Sequence, residues 1–280
     1  MPIKNKGVIV INKCEECKNK GECTNKDIVN IKKIIGVMSG KGGVGKSTIA
    51  TLIAKGLNKK GFKVGIVDAD ITGPSIPRML NLSDKKAHVT NEKIIPVTTE
   101  DGIKVISMNL LLDNESDPVI WRGPLISNMV NQFFTDVNWG ELDCLVIDMP
   151  PGTGDVALTI MQTLPIDGMI MVTVPQDFVS MIVSKSINMV EKMEKRVIGI
   201  VENMSYIKCP KCNEVIKMKE SDINKYLSSG EVEILENFPM NTNMNNLSEQ
   251  GFENLDNEIK EKVDNLIKQI TVKCDMGIIN

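Results

Sequence analysis

The segment Gly40-Lys41-Gly42-Gly43-Val44-Gly45-Lys46-Ser47-Thr48 has the spacing G-x-x-x-x-G-K-S/T of a phosphate-binding loop. The residue types match what a polyphosphate needs. Glycines at 40, 42, 43 and 45 let backbone N–H groups turn inward around an anion. A helix starting near Lys46 aims the positive end of its dipole at the same point. In such a loop the lysine, here Lys46, reaches the β- and γ-phosphates, and the hydroxyl of Ser47 ligates Mg²⁺. An apolar run before the segment and a helical pattern after it give the context the motif requires. The expected ligand is a nucleoside triphosphate, and the expected activity is that of an ATPase.

Acidic partners stand at the ends of two apolar runs. One run reads Val64-Gly65-Ile66-Val67-Asp68-Ala69-Asp70, the other Leu145-Val146-Ile147-Asp148 followed by Met149-Pro150-Pro151-Gly152. In doubly wound sheets ligands bind beyond the carboxyl ends of the strands, so both groups should fall near the loop. Asp148 occupies the Walker B position and is expected to hold Mg²⁺ directly or through water. Asp68 is expected to support the magnesium shell, and Asp70 to act near the reacting phosphate. Gly152 and Gly154 let the following loop respond to the γ-phosphate. Asn203 ends a further run, Val197–Val201. It either closes a strand, as Asn commonly does, or faces the ligand.

The seven cysteines fall into separate groups. An odd count in a reducing compartment argues against a disulfide framework. Cys209-Pro210-Lys211-Cys212 places two thiolates on one turn, which suits zinc, an iron–sulfur cluster or a redox pair. The pair supplies two of four ligands; Cys274 is alone, and the single histidine, His88, is far away in sequence. Two copies of the pair across a dimer would complete a four-thiolate site. Cys14, Cys17 and Cys23 form a second candidate for a cluster, for zinc or for free thiols.

The elements that must position these residues form an alternation. Apolar runs at Ile34–Met38, Val64–Val67, Val105–Met108, Cys144–Ile147, Met169–Val174, Val197–Val201 and Val232–Leu235 read as strands covered on both faces. Helical spacing fills Ser47–Lys60, Leu125–Phe134 and Val179–Glu194. The pattern predicts an α/β fold, a doubly wound, mostly parallel sheet flanked by helices. A hairpin-like excursion is expected over His88–Thr99 with Asn91-Glu92 at its turn, and an amphipathic helix over Leu255–Ile270. Residues 1–32 read as a cysteine-containing extension, 33–274 as the ATPase domain with a C-x-x-C insertion at 205–219, and 275–280 as a tail. The 17 methionines suit irregular core gaps.

Composition narrows the partners. Net charge is -3 and aromatic residues make up 4% of the chain, so neither the basic footprint nor the stacking platforms of a nucleic-acid binder are present. No apolar run reaches the roughly 20 residues of a membrane helix, and the N-terminus lacks a signal-peptide pattern. No nucleic acid and no membrane are expected as partners, and the expected location is cytoplasmic.

The second lysine of the loop, Lys41, is not required by a simple phosphate-binding loop. Lys41-Gly42-Gly43-Val44-Gly45-Lys46-Ser47 resembles the deviant Walker A motif shared by MinD, ParA, the nitrogenase iron protein and the Mrp/ApbC-type iron–sulfur carriers. More specifically, Asp68-Ala69-Asp70-Ile71-Thr72-Gly73-Pro74-Ser75, Asp148-Met149-Pro150-Pro151-Gly152-Thr153-Gly154-Asp155, and Glu202-Asn203-Met204-Ser205-Tyr206 followed by Cys209-Pro210-Lys211-Cys212 are similar to the Mrp/ApbC blocks. The similarity runs over roughly residues 33–270. It implies that Lys41 reaches across a homodimer to the partner's nucleotide, that Asp70 orients the attacking water, and that Asn203 reads the adenine. It further implies that Cys209 and Cys212 of two protomers bridge a 4Fe-4S cluster, which is handed to apo iron–sulfur proteins under control of ATP. Arg122, in the Trp121-Arg122-Gly123-Pro124 segment, is implied to lie beside the dimer face. Members with an N-terminal cluster motif carry a cysteine upstream of the Cys14 equivalent; this chain has none. The resemblance also admits a MinD/ParA-like positioning or regulatory ATPase and an electron-transferring reductase. The mixed-charge tail, however, is only modestly basic, and the two cysteines share one turn.

Overall fold

The computed structural model describes residues 29–71, 73–90, 93–112, 123–175, 177–209, 211–218, 232–241 and 251–277. Cys14, Cys17 and Cys23, the Asn91-Glu92 turn and the Trp121-Arg122 pair lie outside the described residues.

Twelve strands are described: β1 (Ile31–Ser39), β2 (Val64–Asp68), β3 (His88–Thr90), β4 (Lys93–Ile95), β5 (Val97–Thr98), β6 (Lys104–Ile106), β7 (Leu142–Asp148), β8 (Gly168–Thr173), β9 (Val197–Glu202), β10 (Tyr206–Lys208), β11 (Val215–Lys217) and β12 (Ile234–Asn237). The helices are α1 (Lys46–Lys59), α2 (Ile76–Met79), α3 (Gly123–Thr135), α4 (Asp155–Thr163), α5 (Asp177–Lys192) and α6 (Asn257–Lys273). Eight strands form one sheet in the order β12-β9-β8-β1-β7-β2-β6-β5. All neighbours run parallel except the edge pair β5–β6. This is the doubly wound α/β sheet expected from the alternation. The long apolar runs sit in its centre: every residue of β2 and β8 is buried, as is β7 apart from Asp143, which is what helices on both faces impose.

The boundaries differ from the sequence expectation where polar residues join a strand. β1 begins at Ile31 because Lys32 and Lys33 alternate into the ladder beside β7. The strand expected at Val232–Leu235 lies at Ile234–Asn237, because its parallel pairing with β9 continues to Asn237 opposite Glu202. The excursion expected over His88–Thr99 is the antiparallel pair β3–β4 followed by β5.

The last helix closes the back of the sheet. Ile259, Val263, Leu266, Ile267 and Ile270 of α6 are buried, a stripe at helical spacing. They pack on α1, and Gly56 is the point of closest approach. A Cβ there would lie 2.6 Å from Ile267 Cγ1 and 2.8 Å from Val263 Cγ1. Gly56→Leu should therefore push α6 off α1 and destabilise the domain by about 1–3 kcal/mol through overpacking; a urea denaturation midpoint matching wild type would contradict this packing.

Candidate nucleotide and metal sites

The phosphate-binding loop joins β1 to α1 in the centre of the sheet. Its glycines do what the motif requires. Gly43 and Gly45 have φ of 79° and 82°, a left-handed backbone that costs a side-chain-bearing residue about 1–2 kcal/mol. A Cβ at Gly42 or Gly43 would meet nothing within 4 Å, so the space beside these two glycines is open. The N-terminus of α1 has no side-chain cap, and its first turn carries no acidic residue. Its leading N–H groups are those that an anion satisfies. Val44 is buried beneath the loop and Thr48 is buried at the start of α1, while Gly40, Lys41 and Ser47 are partly exposed.

The acidic residues converge as expected. Asp68 and Asp148 are register partners at the carboxyl ends of β2 and β7, and both are fully buried. Lys46, 6% exposed, places Nζ 2.6 Å from Asp148 Oδ1 and 3.9 Å from Asp70 Oδ2. The same Nζ lies 3.4 Å from Ser47 Oγ. One lysine thus offsets a cluster of carboxylates in a region of low dielectric, where an unpaired charge is costly.

Asp68 has a second task that the sequence did not reveal. Its Oδ2 accepts hydrogen bonds from the backbone N–H groups of Ser75 and Ile76, at 3.0 and 3.1 Å, and from Ser107 Oγ at 3.2 Å. It therefore ties the loop carrying Asp70 to the sheet. Ser75 and Ser107 could not be singled out beforehand, because their partner lies on another element. Asp68 Oδ1 and Asp148 Oδ2 are buried without a hydrogen-bond partner among the described residues. Two such oxygens beside the Ser47 hydroxyl are the hard donor set that Mg²⁺ takes, so the residues fit the ion. Burial, then the neighbouring Asp148 carboxylate, pushes the Asp68 carboxyl up to about 8; burial also raises Asp148.

Asn203, expected at a base, is packed against the loop itself. Its Nδ2 donates to the Val44 carbonyl at 2.9 Å, and its Oδ1 accepts from Met204 N–H at 3.0 Å. The side chain is 4% exposed. A Cβ at Gly45 would lie 2.2 Å from Asn203 Nδ2, so Gly45 is needed for this contact as well as for its own backbone angle. The loop after Asp148 is tied to the same place: Gly152 N–H donates to the Ser39 carbonyl at 2.8 Å, and Ser39 Oγ donates to the Lys41 carbonyl at 2.9 Å.

Cys209 and Cys212 stand apart from this cradle, on the turn of the separate antiparallel hairpin β10–β11. The turn is closed by Cys209 N–H to Glu214 O and Asn213 N–H to Cys209 O, each 2.9 Å. Asn213 has φ 58°, a conformation Asn tolerates. Cys209 is half-buried and Cys212 exposed, whereas Cys144 and Cys274 are buried. The backbone N–H of Cys212, then that of Lys211, lowers the pKa of the Cys209 thiol, and so favours the thiolate that binds soft metals. No group of three or more His, Cys, Asp or Glu side chains able to hold a metal occurs within the described residues of one chain. Ile207, Val215, Ile216, Met218 and Met240, on or beside the hairpin, are exposed. None of the described helices is long and apolar enough to cross a membrane.

Residues 30–274 match the family model described as the NUBPL iron-transfer P-loop NTPase. The chain is 47% identical to an iron-sulfur cluster carrier protein of Clostridium perfringens over 264 residues, covering 85% of this chain and 92% of that protein. It is 41% identical to a protein of the same name from Methanocaldococcus jannaschii, covering 94% and 97%. Among solved structures, a nucleotide-binding protein from Archaeoglobus fulgidus in complex with ADP superimposes with a TM-score of 0.70 at 42% identity, over 80% of this chain and 90% of that one. MinD of Aquifex aeolicus, at 20% identity and a TM-score of 0.60, shares the fold.

The buried acid pair has a measurable consequence in protein freed of nucleotide and divalent ions by EDTA. A carboxyl raised from 3.8 to about 8 on folding binds more protons folded than unfolded across that range, so its contribution to stability falls as pH rises from about 4 to about 8. Asp68→Asn removes that dependence. The variant should gain in melting temperature relative to wild type as pH rises from 5 to 8. A difference between the two proteins that stays constant over this range would refute the protonated state of Asp68.

Proposed function

The chain belongs to the NUBPL iron-transfer P-loop NTPase family, and we propose that it is an ATP-dependent iron–sulfur cluster carrier. In this reading a dimer binds a 4Fe-4S cluster as cargo and delivers it to apo-proteins in the cytosol. The observation that carries this reading is the coexistence, in one chain, of a complete phosphate cradle and a half-complete thiolate site. Lys46, Asp148 and the open glycine loop form the first; Cys209 and Cys212 form the second. Iron–sulfur clusters take four cysteine thiolates, so two protomers would supply what the described residues of one do not. A positioning ATPase has no use for a pair of accessible cysteines presented on the turn of a separate hairpin.

The cradle's own residues divide the work. On arrival of ATP, Lys46 exchanges Asp148 for the β- and γ-phosphates, and the N–H groups of the loop and of α1 take the remaining oxygens. Asp148, Asp68 and the Ser47 hydroxyl would hold Mg²⁺, which neutralises phosphate charge when bound. Asp70, 3.9 Å from Lys46, is assigned to orient the attacking water, and Lys41 to reach the nucleotide of the second protomer. Asn203 is assigned to the adenine. Because its amide also holds Val44, base binding and loop position are read by one side chain.

The thiolate assignment is tested on anaerobically reconstituted protein. Wild type should bind roughly four irons per dimer with the broad visible absorbance of a cluster, and Cys209→Ala/Cys212→Ala should lose both. Unchanged iron in the double variant would sink the assignment. Separately, Lys46→Ala should lower ATP turnover by about a hundredfold or more, the usual scale for removing a group that stabilises developing charge, while reconstituted iron content stays at the wild-type level. Turnover within a few-fold of wild type would remove Lys46 from the reaction.

A further inference from the structure

The cysteine hairpin stands outside the main sheet. An isolated two-stranded hairpin is marginal in water, so something else must fix the turn that carries Cys209 and Cys212. Strand alternation puts Tyr206 and Lys208 on one face, and both reach a single carboxylate in the first turn of α6. Tyr206 Oη donates to Glu258 Oε1 at 2.6 Å, and Lys208 Nζ donates to Glu258 Oε2 at 3.1 Å. One turn further along α6, Lys262 Nζ lies 5.6 Å from the centre of the Tyr206 ring and 3.1 Å from Glu236 Oε1 of β12. Met240 N–H donates to the Tyr206 carbonyl at 2.7 Å. The opposite face carries the cross-strand pair Ile207–Ile216, both exposed, so this seat holds the hairpin from one side.

We propose that Glu258 is a positioning residue for the metal-binding cysteines: through Tyr206 and Lys208 it seats the hairpin on α6 and thereby sets how long a bound cluster survives. This rests on the carrier reading. The Lys208–Glu258 ion pair, with side chains 45% and 38% exposed, would by itself contribute little. The Tyr206 hydrogen bond is short, partly buried and charge-assisted, which makes it the stronger arm. Glu258 is held below the ordinary glutamate range first by that hydrogen bond, in keeping with an ionised acceptor. The domain core lies elsewhere, so release of the seat should move the hairpin without melting the protein.

The test uses the full chain with Glu258→Ala, Tyr206→Phe and the conservative Glu258→Gln, which keeps an acceptor for the tyrosine. In metal-free protein, hydrogen exchange at the amides of residues 206–217 should rise about tenfold in Glu258→Ala and Tyr206→Phe, the scale of losing one hydrogen bond to a charged group, and less in Glu258→Gln. In reconstituted protein, a chelator should extract iron faster in the same order, with ATP turnover and melting temperature close to wild type. Exchange and extraction both at wild-type rates in Glu258→Ala and Tyr206→Phe would overturn the proposal. So would a loosened hairpin with unchanged extraction. If wild type binds no cluster at all, the carrier reading fails while the metal-free exchange result still decides whether Glu258 seats the hairpin.

Discussion

One lysine among buried carboxylates is the constraint around which this molecule is built. Asp68 and Asp148 lie side by side at the ends of adjacent strands, wholly out of water, and Lys46 is the cation in contact with Asp148. Burying ionised groups is unfavourable unless they are paired, and two carboxylate oxygens remain without partners among the described residues. The cradle meets this cost by favouring a proton on Asp68 and by pairing Asp148 with Lys46. The same arrangement that taxes folding leaves open both an anion-type cradle and two carboxylate oxygens of the kind a hard cation takes.

A short stretch of backbone joins the cradle to the cysteine hairpin. Asn203 fixes the Val44 carbonyl of the loop; its neighbour Met204, at φ 54°, turns the chain out of the sheet; and three residues later the chain is inside the hairpin stem. Ser205 N–H donates to the Phe238 carbonyl at 2.8 Å and Met218 N–H to the Ser205 carbonyl at 3.0 Å, so the stem is anchored where it leaves the sheet. The hairpin is thus joined to the phosphate loop through Asn203–Ser205 on one side and to α6 through Glu258 on the other.

Much of this is legible in the sequence. The glycine loop, the strand-ending aspartates and the cysteine pair stood out because each is a local pattern with a fixed spacing, and the central strands because burial on both faces leaves uninterrupted apolar runs. Edge elements were read less well: β12 was displaced by two residues, since pairing with β9 and not local hydrophobicity decides where it ends. The contacts of the Ser75 N–H and the Ser107 hydroxyl with Asp68 are not legible in the sequence. Both contacts come from sharing Asp68 Oδ2, which only folding brings within reach. The contact of Asn203 with Val44 was likewise hidden, because 159 residues separate the partners.

By itself, then, the sequence determined the chemistry on offer: a loop with the spacing of a phosphate cradle, acids of the kind a hard cation takes, and thiols of the kind a soft metal takes. These follow from residue type and short-range spacing, which are properties of the chain before it folds. The tertiary structure alone decided how those parts are joined. Parallel pairing of β1, β2 and β7 set Lys46 between its acids, and the return of α6 beneath the hairpin brought Glu258 to Tyr206 across 52 residues. Such contacts depend on which faces are buried together, and no local pattern of residues encodes that.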